Sequence, residues 1–342
     1  MGGEFLSAGR DTAFPDPPRC DRRAGCVVTA ASIVVPTRGG AVRLPTLFRA
    51  LATQTSSDFE VICVVDGDVD DSTALIDSWR DRLPVRAITL AQNRGRAVAL
   101  NLGFAQARGE VLIRCDDDLE PGVEHVARHL QHHRARTRVG VIGLCPNVLP
   151  DNAYARAYGS TRDRLFRAQA YAFPPEQRWR LWGANVSVHR ETWSAVGDYN
   201  KAYRAYGFED VDWGYRLHRS GRPIVLDPAL EARHHGAATT TRVRAQRAFH
   251  SGAARRTFER LHGTAPLSAP SQGAPPPPGI WGRSVARAGM HLSAQGVSRL
   301  AGATDRLADH LPRFLAEKAI AFTVEAAAVA GHRRPTELDP SI

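Results

Sequence analysis

This 342-residue chain has almost no lysine. Lys201 and Lys318 are the only two, so nearly all of its 45 basic Lys and Arg side chains are arginine, set against 35 acidic ones for a net charge of +10. Such an excess suits an anionic small substrate as well as an anionic polymer, and composition does not separate the two. No window of 18 or more uncharged apolar residues occurs, so no transmembrane helix is expected. The most apolar late segment, AIAFTVEAAAVAG, is broken by Glu325 and preceded by Lys318. The N-terminus lacks the basic-then-apolar layout of a signal peptide, and the expectation is a cytoplasmic protein. The five cysteines (Cys20, Cys26, Cys63, Cys115, Cys145) are odd in number, sit mostly in apolar strand-like runs and include no C-x2-C pair. That speaks for buried thiols in a reducing compartment and against zinc. Neither G-x-G-x-x-G nor G-x-x-x-x-G-K-[ST] is present, which removes support for a Rossmann dinucleotide site and for a P-loop.

What is present is 43% hydrophobic content, ample for a sizeable core. Residues 1–30, rich in Gly, Pro, Asp and Arg without periodicity, read as a mobile tail. From Ala31 short apolar runs alternate with helical patterns. ASIVVP is followed by a helix through LPTLFRALATQT, FEVICVVD by one through DSTALIDSWRDRL, and VRAITL by one through RAVALNLGFAQA. GEVLIRC is a fourth strand that ends directly in DDD. Continuous apolar runs joined by helices predict a mostly parallel sheet covered on both faces. A helix over 121–136, strands in VGVIGLC, LWGANVSVHR, RPIVLDP and LEARHHG, and an arginine-rich helix to about 262 complete a main domain over 31–263. TAPLSAPSQGAPPPPG (264–279) is a linker by composition. Residues 280–342 read as a helical region, with two or three amphipathic helices packed on the main domain. No internal repeat is found.

In an open α/β sheet, ligands bind at the carboxyl ends of the strands, so each strand exit is a place to look. VVPTRGG leaves the first strand as a small glycine-rich loop that lets a nucleotide approach the backbone. VVDGDVDDS leaves the second with Asp66 and Asp68, each able to accept a hydrogen bond from a base or ribose, or else to cap a turn. RCDDDLEP leaves the fourth. Asp116, Asp117 and Asp118 repel one another unless a cation neutralises them, and hard oxygen ligands with room for phosphate suit Mg2+ or Mn2+. EARHHG supplies His234 and His235, either of which a borderline metal such as Mn2+ would accept beside carboxylates. His129, His132 and His133 lie on a polar helix and read as solvated.

YGFEDVDWGYRL (206–217) crowds three acids among aromatics at a helix start. Asp212 and Arg216 are spaced i,i+4, which favours an ion pair. Asp210 points to another side of the helix and has no cation at i+3 or i+4, which leaves it the least committed acid by local spacing.

Together these motifs resemble a family 2 glycosyltransferase of the GT-A fold over residues 31 to about 240. The matching pieces are VVPTR, the acidic turn VVDGDVDDST, the run NRGRAVALNLGFAQARGEVLIRCDDD, the block WGANVSVHRETWSAVGDYNKAYRAYGFEDVDWGYRLHRSGRPIVLDP with its G-x-E-D, and ARHHG. Gly67 stands where the family often has a second Asp. The resemblance implies an α/β, Rossmann-like three-layer GT-A domain with a C-terminal helical extension. It implies a nucleotide-diphosphate sugar donor of the UDP, GDP or dTDP type, a Mn2+ or Mg2+ ion and an inverting single displacement. Pro36, Thr37, Arg38, Asp66, Asp68, Asn93, Arg96, Asp116 and Asp117 would bind the donor nucleotide. Asp116 and Asp118, with His234 or His235, would hold the metal. Asp210 would be the general base and Glu209 would orient the acceptor, over a floor of Trp182, Gly183, Ala184 and Trp213. The acceptor stays open among a small molecule, a lipid-linked acceptor and a glycan. No nucleic acid is expected, and peripheral contact with the inner face of a membrane fits the same reading.

Three rivals stand beside it. A nucleotidyltransferase that makes a sugar nucleotide shares the sheet and the acidic site, and TRGGAVRLP faintly resembles its loop, but Glu209 and Asp210 then have no task. A phosphatase-like aspartyl enzyme wants Asp-x-Asp after the first strand, whereas Asp116 follows the fourth. A non-catalytic basic protein would bind an anionic polymer or membrane through RVRAQRAFHSGAARRTFER, with steep salt dependence.

Overall fold

The computed structural model describes residues 29–135, 138–203, 207–268 and 279–334. The expected tail, apart from its last two residues, and most of the expected linker lie outside them, as do Cys20, Cys26 and Tyr206. The strand-like runs become β1 (Ala31–Thr37), β2 (Phe59–Asp66), β3 (Val85–Leu90) and β4 (Val111–Cys115), separated by α1 (Leu44–Ala52), α2 (Ser72–Asp77) and α3 (Arg96–Gln106). Then come β5 (Leu119–Pro121), α4 (His125–Ala135), β6 (Gly140–Ile142), α5 (Ser160–Tyr171), β7 (Asn185–His189), α6 (Arg190–Val196), α7 (Glu209–Arg219), β8 (Ile224–Leu226), β9 (Ala232–His234) and α8 (Thr241–His262). The chain closes with α9 (Ile280–His291), α10 (Ala294–Ala308) and α11 (Arg313–Arg333).

Seven strands form one sheet in the order β3-β2-β1-β4-β7-β6-β8. β1 pairs in parallel with β2 and β4, and β2 with β3, while β7 runs antiparallel to both β4 and β6. The apolar runs are continuous because both faces are covered. Ile33, Val35, Val61, Cys63 and Val65 pack with Leu47 and Phe48 of α1 and Ile76 of α2 on one face. Val34, Ile62 and Val64 pack with Leu100 and Phe104 of α3 and with an aromatic group around Trp213 on the other. β5 and β9 form a separate two-stranded antiparallel ladder at the carboxyl end of β4.

One expectation fails here for reasons of packing. Of the α4 histidines expected to be solvated, His129 and His133 are buried, because positions 125, 129 and 133 fall on the inward face of the helix at i,i+4 spacing, whereas His132 is partly exposed and bonds Asp227 (2.8 Å). His129 is 0% exposed and bonds Ser187 (2.8 Å) and Asn185 (3.2 Å) of β7, and His133 bonds the same Ser187 hydroxyl. Ser187 and Asn185 supply polar partners beneath the sheet that a helix pattern read alone cannot reveal. The arginine-rich helix is covered on one face: Ala245, Ala248 and Phe249 of α8 are buried against Ala301 of α10 and Ile320 and Val324 of α11, while Arg242, Arg256 and Arg260 stay exposed.

Candidate active site

At the exit of β1 the backbone closes tightly over Asp117. Thr37 donates its hydroxyl to Asp117, and Arg43 grips both carboxylate oxygens from Nε (3.0 Å) and Nη2 (2.7 Å). Gly40 is obligatory here, since a Cβ would lie 2.0 Å from Thr37 Oγ1. Burial pushes the Asp117 carboxyl above its ordinary range, against the pull of Arg43 and Thr37. Asp117 therefore braces the loop; Arg38 lies exposed beside it and Pro36 is buried in β1. Asp66, at the exit of β2, accepts from the backbone amides of Arg94 (2.6 Å) and Gly95 (2.8 Å). Both of its oxygens are spent on shaping the loop that carries Asn93 and Arg96. Asp68 accepts from the amides of Ser72 and Thr73 at the start of α2, the capping role that its sequence context allowed.

The acids after β4 part company. Asp116, whose backbone amide donates to Ala184, accepts from Arg114 Nε (2.7 Å) and Nη2 (3.1 Å). Asp118 faces the other way. β5 and β9 pair Leu119 with His234, and this ladder brings the late histidine, 116 positions later in the chain, to Asp118. His234 Nε2 lies 3.2 Å from Asp118 Oδ2, while its Nδ1 bonds Asn147 Oδ1 at 2.7 Å. That second bond fixes the ring, as a partner behind a ligating histidine does. Burial pushes the Asp118 carboxyl up, but His234, Arg96 and Arg43 outweigh it and leave the group below its ordinary value. Asp118 Oδ1 is buried without a partner. Gly236 permits this approach, since a Cβ there would fall 1.7 Å from Asp118 Oδ2. His235 turns instead to Glu120 (2.7 Å). Of the four residues expected around a metal, the structure thus brings together Asp118 and His234. Asp116 is held by Arg114 and His235 by Glu120. Among the described residues no group of three or more His, Cys, Asp and Glu side chains forms a complete metal cage.

The acids of α7 face this strand exit. Phe208 leads into the helix at φ +65° and Gly207 at φ +99°, so the chain turns sharply before Glu209. Asp212 pairs with Arg216 (2.9 Å), as the i,i+4 spacing predicts, and also with His262 of α8 (2.7 Å). Glu209 is 2% exposed; one oxygen lies 3.4 Å from Arg96 Nη1, and the other is buried without a partner. Asp210, least committed by local spacing, has a long-range cation after all: Arg114 Nη1 bonds its Oδ1. Burial still pushes Asp210 up to about 7, with Arg114 opposing and Glu209 and Asp116 adding to the rise. Trp182 and Trp213 are buried and stack at 5.0 Å, so both lie within the core beneath the site. Gly183 and Ala184 are partly exposed next to Asp116.

Sequence reading passed over Arg114, Arg43, Asn101, Tyr199 and Asn147. One signal was visible: Arg114 is a lone charge inside the apolar run GEVLIRC. Asn147 lies in a stretch without any motif.

Residues 32–192 match the family model of Glycosyl transferase family 2. Undecaprenyl-phosphate 4-deoxy-4-formamido-L-arabinose transferase of Pseudomonas fluorescens is 31% identical over 186 residues, covering 53% of this chain and 48% of that protein. Validoxylamine A glucosyltransferase of Streptomyces hygroscopicus subsp. jinggangensis is 26% identical over 247 residues, covering 60% of this chain and 56% of that protein. The chain spans about half the length of these curated relatives. A mannosyltransferase from Pyrobaculum calidifontis, solved with GDP-Man and Mn2+, matches with a TM-score of 0.56 at 18% identity over 93% of this chain and 89% of that one, a likeness of fold. With this sheet, this order of motifs and a family match over residues 32–192, the chain is similar to glycosyl transferase family 2 and has the GT-A fold.

Proposed function

We propose that this protein transfers a sugar from a nucleotide-diphosphate donor of the UDP, GDP or dTDP type to an acceptor hydroxyl, by a single displacement with inversion at the anomeric carbon. The observation that carries the reading is the meeting of Asp210 with Asp116 on Arg114 at the carboxyl end of β4, beside the Asp118–His234 pair. Asp210 takes the proton from the acceptor hydroxyl as its oxygen attacks. A carboxyl pushed up to about 7 is matched to that task near neutral pH. Glu209 orients the acceptor through its unpartnered oxygen, and Arg96 stands beside it against the donor's phosphates. Holding the two substrates in line supplies much of the rate.

The donor set at Asp118 and His234, a hard oxygen with one imidazole, suits Mn2+ or Mg2+, and the unpartnered Asp118 Oδ1 is the open oxygen such an ion would use. Two protein ligands leave the rest of the coordination to water and the diphosphate, as is usual for these ions. A bound ion would supply positive charge to the leaving diphosphate.

Two relatives' names point to different acceptors, an undecaprenyl phosphate and validoxylamine A. A phosphate acceptor is already ionised and needs no base, so the Asp210 arrangement favours a hydroxyl. No helix among the described residues is long and apolar enough to cross a membrane, so a lipid-linked acceptor would be met by peripheral contact. A thermal-shift screen of UDP-, GDP- and dTDP-sugars, with and without Mn2+, tests the proposal. One donor class should raise the melting temperature in a metal-dependent way and release its nucleoside diphosphate. Pyrophosphate release from a nucleoside triphosphate, with no donor cleaved, would overturn it.

A further inference from the structure

Arg114 is a cation inside a sheet strand, 1% exposed. A buried guanidinium persists only where its charge and donors are answered. Here they are answered by two carboxylates from opposite halves of the site. Nε and Nη2 take both oxygens of Asp116, at the exit of β4, and Nη1 takes Asp210, in the first turn of α7. We propose that Arg114 is a positioning residue for sugar transfer: one rigid guanidinium fixes the base, Asp210, in register with the donor-side acid, Asp116. The inference rests on Asp210 being the base.

Three features support it. First, the fork geometry of arginine lets one side chain bind a carboxylate with two parallel bonds and still offer a third donor elsewhere, which a lysine ammonium on a flexible stem does not reproduce. Second, the guanidinium is itself held from outside its strand. Its carbon lies 5.9 Å from the ring centre of Tyr199, whose backbone is pinned in both directions by Asn101 of α3 (2.8 and 2.9 Å) and whose hydroxyl accepts from Trp182 Nε1 (3.2 Å). Third, the first turn of α7 needs holding. Phe208, a bulky residue in the left-handed region, leads into it, and strained entries of this kind persist only when neighbouring structure over-determines them. Without Arg114, Asp116, Glu209 and Asp210 would face one another with Arg96 as the remaining cation of the group, and repulsion would drive α7 away from the strand exit.

The test compares Arg114→Lys, Arg114→Met, Asp210→Asn and the wild type. Turnover is read as nucleoside diphosphate released, in Mn2+, from whichever of UDP-glucose, GDP-mannose and dTDP-glucose the wild type cleaves. Binding is read as the affinity for UDP, GDP and dTDP by calorimetry. Arg114→Lys should lower kcat by roughly 100-fold, the scale of a misplaced catalytic group. Its donor KM and nucleotide affinity should stay within about threefold, because binding shared by ground and transition states is untouched. Arg114→Met should show the same loss and also move the acid limb of the pH–rate profile upward, since Asp210 then faces Asp116 and Glu209 with one cation fewer. Arg114→Lys retains the charge and should keep the limb in place. If Arg114→Met fails to fold, Arg114→Lys decides alone. The proposal is overturned if Arg114→Lys keeps wild-type kcat while Asp210→Asn is inactive, or if it loses nucleotide affinity as far as kcat. An active Asp210→Asn is a separate result that removes the base assignment itself.

Discussion

Replacing Asp210 with Asn removes the proposed base and keeps its shape, so its consequences for rate and for stability can be worked out separately. General-base catalysis is worth about 10²–10⁴-fold, so transfer should fall by at least 100-fold. Stability should behave differently. Burial raises the Asp210 carboxyl to about 7, so the folded state prefers it protonated. A raised folded value contributes stability that is fully present below the ordinary aspartate range and is lost as pH rises through about 7. At about 1.4 kcal/mol per pH unit, the ionised carboxylate at pH 8 carries a penalty of a few kcal/mol. The neutral amide is free of it. Arg114 loses one negative partner, though the amide oxygen can still accept from its Nη1, and it keeps both oxygens of Asp116, so the cost of stranding a buried cation is only partly incurred. The two effects oppose one another, and Asp210→Asn should melt at pH 8 within a few degrees of the wild type while binding nucleotide and Mn2+ normally. The assay is nucleoside diphosphate release between pH 5 and 9, beside calorimetric melting. The wild-type rate should fall tenfold per unit below about pH 7, as the base takes up its proton. A flat profile from pH 5 to 8, or an Asn variant within tenfold of wild type, would refute the reasoning.

Three further outcomes follow from the same geometry. His234→Ala should weaken Mn2+ binding in the presence of nucleoside diphosphate by about tenfold or more, and Asn147→Ala by a smaller amount through the ring it fixes. His235→Ala, whose partner is Glu120, should leave the Mn2+ titration unchanged. Gly236→Ala places a methyl on Asp118 Oδ2 and should abolish metal-dependent nucleotide binding, with melting temperature as the control. Burial lowers His125 and His133 to about 4, so their stability is present above the ordinary histidine range and is lost as pH falls from 6.5 toward 4. His125, whose ring nitrogens have no partner, should give a His125→Leu variant with a visibly shallower melting-temperature decline over that range.

The order of strands and helices was legible in the chain because continuous apolar runs and helical spacing are local patterns, and both faces of the sheet obey them. So were the strand-exit acids and the Asp212–Arg216 pair, since each depends on neighbours a few positions away. Division of labour among the acids was not legible. Asp116, Asp117 and Asp118 are adjacent in sequence, yet they are claimed by Arg114, Arg43 and His234, from three different elements. Asp210 looked unpartnered because its cation lies 96 positions earlier. His234 was separated from His235 only by the β5–β9 ladder, which turns successive side chains to opposite sides. The sequence by itself determined which groups are present and which strand ends carry them. The tertiary structure alone decided which of them meet, because charge pairing across a folded core depends on distance in space, and that distance is set by packing that no local window contains.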